Sequence, residues 1–127
     1  MKGGNDILEF EKEKKKIFNQ TKKNMVALGT YRPEFDVAIT RYADMRMQYD
    51  GLQQRWYDEG CQITEPYTNN DGATNERKTV LYMAIEKLRD ELTKIESLFG
   101  LNPKGLKEIK KKGLEQKKKS ALGMMLD

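Results

Sequence analysis

The chain has 127 residues, of which 37% are hydrophobic and 35% are charged, a composition that allows one small domain with a lean core. It contains no histidine and one cysteine, which excludes histidine-based acid–base or metal chemistry and an intramolecular disulfide. Its apolar runs are too short for a signal-peptide core or a transmembrane helix, so we expect a cytosolic protein.

The formal net charge of +4 is unevenly distributed along the chain. Residues 1–28 carry seven lysines against four acidic residues, or +3, and residues 104–127 carry eight lysines against three acidic residues, or +5. Residues 29–103 carry nine basic residues against thirteen acidic ones, or −4. An acidic middle with basic ends indicates a scaffold whose ends contact a polyanion, although lysine-rich segments also serve simply to keep a chain in solution.

The N-terminal region, residues 1–29, is predicted to be a charged helix or arm. We expect residues 1–5 to be irregular, Asp6 to cap a helix over residues 7–28, and Gly29 to end that helix. Residues 11–16 contain no apolar side chain. The second half of the helix is therefore expected to pack, while the first half is a charged helix or a mobile arm.

Residues 30–103 are organised around two long helical patterns. In the first, aromatic residues recur every seven positions with slimmer residues between them: Phe35, Tyr42, Tyr49 and Trp56, separated by Ala38, Met45 and Leu52. The second pattern repeats the spacing with Leu81, Ile85, Leu88, Leu92, Ile95 and Phe99. Two heptad seams bury each other when the chain folds back, so the sequence predicts an all-α fold built on a long antiparallel helical hairpin.

A polar segment, residues 61–75, separates the two arms of the hairpin. We expect an ordered loop here, with a two-stranded excursion turning at residues 70–72 as the alternative. Thr74 or Asn75 is then predicted to cap the second arm, with Arg77 and Lys78 early in that helix.

Residues 104–127 form the basic C-terminal region. Gly100 is expected to end the second arm, and Asn102 followed by Pro103 predicts the start of another helix. We expect a short basic helix over residues 103–112 that is interrupted at Gly113. From residue 114 onward the composition predicts a flexible tail.

Two or three helices lying side by side leave apolar surface uncovered, and this favours self-association. Five apolar residues lie off the main seams and are predicted to form a subunit contact: Ile39, Ala43, Met47, Val80 and Met83. The alternative is that they belong to a broad core face within a single chain.

The sequence contains no arrangement typical of catalysis, and we predict a non-enzymatic protein without a cofactor or a metal. Adjacent carboxylates such as Asp58 with Glu59, or Asp90 with Glu91, point about 100° apart on a helix and do not converge. The glycines do not form a phosphate-binding loop.

The end of the second arm carries a motif. Residues 97–104 read SLFGLNPK, a helix end followed by a glycine, a proline and a basic short helix. This arrangement resembles the signature that closes many phage terminase small subunits, and the resemblance covers about residues 31–112. An arginine often found a few residues past the proline is absent, and Gly105, Leu106 and Lys107 stand there instead.

The resemblance implies a non-enzymatic DNA-packaging factor in the cytoplasm of an infected bacterial host. Such subunits assemble into a ring through their helical hairpins, recognise the packaging site of double-stranded viral DNA, and present it to a large subunit that holds the ATPase and nuclease. Residues 120–127 are a candidate segment for docking that large subunit, with plain disorder as the alternative.

The residues predicted to contact DNA are the lysines at both ends of the chain. The C-terminal group comprises Lys104, Lys107, Lys110, Lys111, Lys112, Lys117, Lys118 and Lys119, and the N-terminal group comprises Lys12, Lys14, Lys15, Lys16, Lys22 and Lys23. Many copies of a weak lysine–phosphate contact raise affinity and make it fall steeply with salt. The alternatives are a helical adaptor or structural coiled coil that binds only protein, and a helix-turn-helix regulator whose turn lies at residues 29–33.

Overall fold

The computed structural model describes the backbone of residues 2–126 and the side chains of residues 7–114, 116, 119, 120, 122 and 123. The elements in chain order are α1 (Lys2–Leu28), a 3₁₀ turn (Pro33–Phe35), α2 (Asp36–Asp58), β1 (Thr64–Thr68), β2 (Thr74–Lys78), α3 (Val80–Leu98) and α4 (Pro103–Leu126). The chain is mostly helical, as predicted, with one small sheet added. Across these residues, no helix is both long enough and apolar enough to cross a lipid bilayer.

The predicted antiparallel hairpin is confirmed by the contacts between α2 and α3. Three aromatic residues of the first seam, each seven positions from the next, meet residues of α3 that are also seven positions apart. The pairs are Tyr42 with Glu96 (2.6 Å), Tyr49 with Arg89 (3.3 Å), and Trp56 with Tyr82 (ring centroids 5.9 Å apart). The residue numbers of these pairs rise along α2 and fall along α3. The two helices therefore run in opposite directions and keep a constant pairing register.

Helix α1 also packs against α2, so α2 contacts both α1 and α3. The core forms where the three helices meet, around Met25, Ile39, Tyr42, Leu92 and Phe99. The ring of Tyr42 contacts the edge of Phe99, with centroids 5.9 Å apart. Burial of these apolar side chains is the main stabilising contribution, since each is worth about 1.5–3 kcal/mol relative to exposure.

The α1–α2 contact corrects part of the predicted subunit interface. Ile39 and Ala43 are fully buried within the single chain, so neither side chain reaches a second copy. Of the other predicted residues, Met47 is half-buried, whereas Val80 and Met83 are exposed. The broad core face considered as the alternative is therefore the right interpretation for the first two residues.

The segment between the arms is a β-hairpin, so the predicted loop is wrong and the two-stranded alternative is right. Strands β1 and β2 pair antiparallel, with Thr64 opposite Lys78 and Thr68 opposite Thr74. At the tip, the Asn69 side-chain oxygen accepts the backbone N–H groups of residues 71 and 73, each at 3.0 Å. Gly72 supplies the positive φ of 84° that this turn requires.

The hairpin also shifts the start of α3. The backbone N–H of Tyr82 donates to the Thr79 hydroxyl oxygen at 3.1 Å, so Thr79 is the N-cap. The predicted caps Thr74 and Asn75 are wrong, because residues 74–78 pair in β2 instead, and Arg77 and Lys78 lie in the strand.

Both ends of the chain are more helical than predicted. Helix α1 already includes residues 2–6, so Asp6 is not its cap and residues 2–5 are not irregular; Met1 lies outside the described residues. Helix α4 continues through Gly113 to Leu126, although we expected an interruption and an irregular tail. A helix, once begun, gains a hydrogen bond for each added residue, and one glycine costs only about 1 kcal/mol.

The predicted ends of α1 and α3 and the predicted start of α4 are confirmed. Gly29 follows α1 with a positive φ of 78°, and Gly100, two residues past the end of α3, has a φ of 73°. The backbone N–H of Gly105 donates to the Asn102 side-chain oxygen at 2.8 Å, which caps α4 at its proline start.

Candidate nucleic-acid interface

The corner between α3 and α4 fixes the direction in which α4 leaves the core. A Cβ atom built at Gly105 would overlap the Ser97 carbonyl oxygen, so α4 approaches α3 more closely than any other residue type allows. The Asn102 side chain donates to the Ser97 hydroxyl oxygen at 2.8 Å. The Thr30 hydroxyl donates to the Phe99 carbonyl oxygen at 2.8 Å and ties this corner to the end of α1.

One side of α4 packs at the corner, and the opposite side is basic. Gly105 is buried, and Leu106 and Ile109 are half-buried on the inner side. Lys104, Lys107 and Lys111 are all exposed. Their spacing of three and four residues places them in one line along the outer side of the helix, over about 10 Å. We call these three residues the α4 lysine stripe.

The other predicted lysines of α4 flank the stripe or lie beyond it. Lys110, Lys112 and Lys119 are exposed but project to the flanks of the outer side, at the angles set by about 3.6 residues per turn. The side chains of Lys117 and Lys118 lie outside the described residues.

The lysines of α1 divide into two groups. The Lys14 ammonium donates to an Asp44 carboxylate oxygen of α2 at 3.0 Å, and this carboxylate raises the pKa of Lys14. Lys22 lies over the ring of Tyr31, 5.0 Å from its centroid. Both are therefore engaged in packing α1. Among the α1 side chains that the structure describes, the lysines that remain exposed are Lys12, Lys15, Lys16 and Lys23.

A polar network that the seam pattern did not predict lines a groove beside α2. The Tyr42 hydroxyl donates to Glu96 at 2.6 Å and accepts from Arg46 at 3.3 Å. Burial raises the pKa of Tyr42 to about 12, and the neighbouring Glu96 carboxylate adds to the shift. The groove has a volume of about 730 Å³ and is lined in part by Lys16 of α1. The sequence signal for this polar network was a tyrosine, rather than a phenylalanine, at a seam position.

The Tyr49 hydroxyl makes a second cluster nearer the β-hairpin. It accepts hydrogen bonds from Arg89 at 3.3 Å and from Gln53 at 2.7 Å. The Arg89 guanidinium lowers the pKa of Tyr49. Each of these tyrosines thus joins α2 to a charged residue of α3, which is a structural role.

Across the described side chains, histidine, cysteine and carboxylate residues nowhere gather in a group of three that would hold a metal ion. The geometry instead presents lysines on two helices, α1 and α4, whose adjoining ends meet near Thr30 and Phe99. Such surfaces bind polyanions.

A family model described as phage terminase, small subunit, matches residues 15–116. The chain belongs to this family. The match runs from the part of α1 that packs on α2, through the hairpin, to the middle of α4, and so includes the corner and the α4 lysine stripe. Terminase small subunits act in viral DNA packaging and are generally the non-catalytic part of the terminase. Among curated proteins and among solved structures, no match to the chain was found.

Proposed function

We propose that this terminase small subunit binds double-stranded phage DNA and presents it to the large subunit, whose ATPase and nuclease it regulates, in the cytoplasm of the infected bacterium. The observation that carries the proposal is the α4 lysine stripe. Lys104, Lys107 and Lys111 are exposed and aligned on a helix whose direction is fixed by a tight corner.

The stripe suits a phosphate backbone rather than base edges. Lysine ammonium groups are point charges that contact phosphate without reading sequence. Three such groups within about 10 Å can follow one strand of a duplex, which carries one negative charge per about 3.4 Å of axis. Selection of a packaging site then comes from DNA shape or from the large subunit.

The exposed lysines of α1 form a second proposed contact surface. Lys15, Lys16 and Lys23 are free of the packing contacts that hold Lys14 and Lys22. We expect Lys14 and Lys22 to contribute less to DNA binding, because a bound phosphate would compete with Asp44 and with the Tyr31 ring.

Several copies of the chain strengthen these weak contacts. A head-to-tail contact that closes gives a ring, and a ring repeats the α4 lysine stripe around an axis. Met83, which is exposed on α3, stays in the proposed head-to-tail contact, and Val80, which is exposed as well, remains open to a second copy. Met47 is half-buried, so it lies at most at the edge of this contact surface.

A second candidate function is a helical adaptor that binds only protein. The exposed apolar side chains at the start of α1, Ile7, Leu8 and Phe10, favour it, because apolar groups bind protein rather than phosphate. This candidate predicts that the purified chain is not retained on DNA at any salt concentration.

DNA binding by fluorescence anisotropy across a salt series tests the proposal. Replacing Lys104, Lys107 and Lys111 together by glutamine is expected to weaken binding at least tenfold at low salt and to flatten the salt dependence, because fewer counterions are released. The matched control replaces Lys110, Lys112 and Lys119 by glutamine, with the same loss of charge on the same helix. The control is expected to lose much less affinity.

Two outcomes contradict the proposal. Equal losses of DNA affinity in both triple variants mean that binding depends on the total charge of α4 and that the stripe has no special role. A wild-type chain that ignores DNA at low salt favours the protein-binding adaptor.

A further inference from the structure

The outward side of α3 ends in two exposed apolar side chains. Val80, the first residue of the helix, is 74% exposed, and Leu98, the last, is 75% exposed. They lie about 27 Å apart along the axis and five complete turns apart around it, so both point to the same side. Both side chains are apolar, so covering them with a second surface would be favourable.

Between these ends the outward side continues as a second heptad-spaced seam. Its residues follow at alternating steps of four and three: Val80, Ala84, Lys87, Glu91, Lys94 and Leu98. The first seam of α3 faces α2 and buries Ile85 and Leu92. The second seam is exposed at its three charged positions. We call it the outer α3 seam.

We infer that the outer α3 seam pairs with the same seam of a second copy, antiparallel about a two-fold axis. The register follows from the apolar ends, because Val80 covers Leu98 of the second copy when the helices run in opposite directions. A two-fold contact is self-complementary, so Leu98 then covers Val80 of the second copy as well.

The charged residues of the seam also fit the register that the apolar ends set. When Val80 meets Leu98, Lys87 meets Glu91 of the second copy, and Glu91 meets Lys87, which gives two ion pairs. Ala84 meets Lys94 and leaves space for the lysine stem to lie along the contact. Opposite charges at paired positions of two helices set their orientation.

The same charges disfavour the parallel alternative. Parallel helices in register would place Lys87, Glu91 and Lys94 each against its own copy, and like charges facing one another are repulsive. Within one chain Lys94 lies 4.0 Å from Glu91 with both side chains largely exposed. Such a surface pair is worth little, so it does not compete with the contact between copies.

This inference goes beyond the proposed function, because the contact needs no DNA. One helix against one helix is a small interface, so we expect a reversible dimer whose population rises with protein concentration. A closed ring would need a different, head-to-tail surface, and the outer α3 seam would then join two such rings.

Disulfide formation between introduced cysteines tests the register directly. In a Cys61→Ser background, Val80→Cys alone and Leu98→Cys alone are each expected to give no covalent dimer under mild oxidation. An equimolar mixture of the two variants is expected to give a covalent dimer. Both sites are exposed, so neither substitution disturbs the core.

Two results of this experiment overturn the inference. A covalent dimer of Val80→Cys with itself indicates a parallel pair. A mixture that forms no covalent dimer at any concentration shows that the outer α3 seam does not pair with itself.

Charge reversal provides an independent measurement by sedimentation equilibrium without DNA. Lys87→Glu and Glu91→Lys are each expected to weaken dimerisation roughly tenfold or more, because each creates two like-charged pairs. The double variant is expected to restore dimerisation, since it exchanges the partners. Arg41→Glu, a reversal at an exposed residue of α2 outside the predicted DNA contacts, is the matched control and is expected to leave dimerisation unchanged.

Failure of the double variant to restore dimerisation, while all variants keep their helical circular dichroism, contradicts the pairing of Lys87 with Glu91. DNA binding measured on the same variants keeps this result separate from the proposed function, because the α4 lysine stripe is unaltered in each of them.

Discussion

Gly105 shows how one residue positions a whole surface. Its missing side chain lets the first turn of α4 rest on the Ser97 carbonyl, and this contact directs the α4 lysine stripe away from the core. A side chain at Gly105 would collide with the α3 backbone.

Gly105→Ala is therefore expected to destabilise the chain. The added methyl group forces α4 away from Ser97, and overpacking of this kind costs about 1–3 kcal/mol. Gly113→Ala is the control, because nothing lies within 4 Å of its added Cβ and alanine is the better helix former. Thermal unfolding followed by circular dichroism should show a lower Tm for the first variant and an equal or higher Tm for the second. A Tm for Gly105→Ala at or above that of the wild type would contradict the close contact.

Tyr42 is the residue whose ionisation responds most to the fold. Its pKa is raised to about 12 by burial first and by Glu96 second. The unfolded chain loses this proton near pH 10 while the folded chain keeps it. Stability contributed by Tyr42 is thus fully present below pH 10 and is lost as the pH rises through 12.

A tyrosinate absorbance titration of the folded chain tests this shift. Of the six tyrosines, Tyr42 is expected to titrate last, and the late step is expected to disappear in Tyr42→Phe. Tyr49→Phe is the control, because Arg89 lowers the pKa of that tyrosine and its step comes early. A late step that survives Tyr42→Phe belongs to another tyrosine and contradicts the assignment.

At the scale of elements, the long helical hairpin was predictable, whereas the β-hairpin could be given only as the alternative to a loop. Heptad spacing is visible in sequence because burial repeats with it, and Tyr42, Tyr49 and Trp56 meet α3 as that spacing requires. Strands β1 and β2 are almost entirely exposed, so no alternation of apolar and polar residues marks them. The sequence signal for these two strands was confined to the turn-forming residues around Asn69 and Gly72.

The partner of an apolar stripe is also hidden in sequence. Ile39 and Ala43 form a genuine stripe, but the same stripe serves a third helix or a second copy equally well. Only the packing of α1 against α2 decides between them. The extent of α4 was missed for a related reason, since one glycine weighs little against a segment otherwise rich in good helix formers.

At the scale of the whole molecule, the two ends of α4 are proposed to serve different partners. The stripe near the corner is proposed to contact DNA, and residues 120–127 are proposed to dock the large subunit. Leu122 is 59% exposed on this distal part, where an apolar side chain suits a protein contact better than a phosphate. Separate surfaces on one helix would let the subunit hold DNA and the large subunit at once.

Leu122→Asp tests this separation, because a buried carboxylate without a partner opposes a protein contact. We expect the variant to bind DNA nearly as well as wild type, while its stimulation of the large subunit's ATPase falls severalfold. Leu114→Asp is the matched control: it is 60% exposed on the same helix but lies nearer the corner, and it should keep the stimulation. Equal ATPase stimulation by the wild type and Leu122→Asp would remove the distal part of α4 as the docking segment. Equal losses of ATPase stimulation in both leucine variants would show that the large subunit contacts α4 along its length.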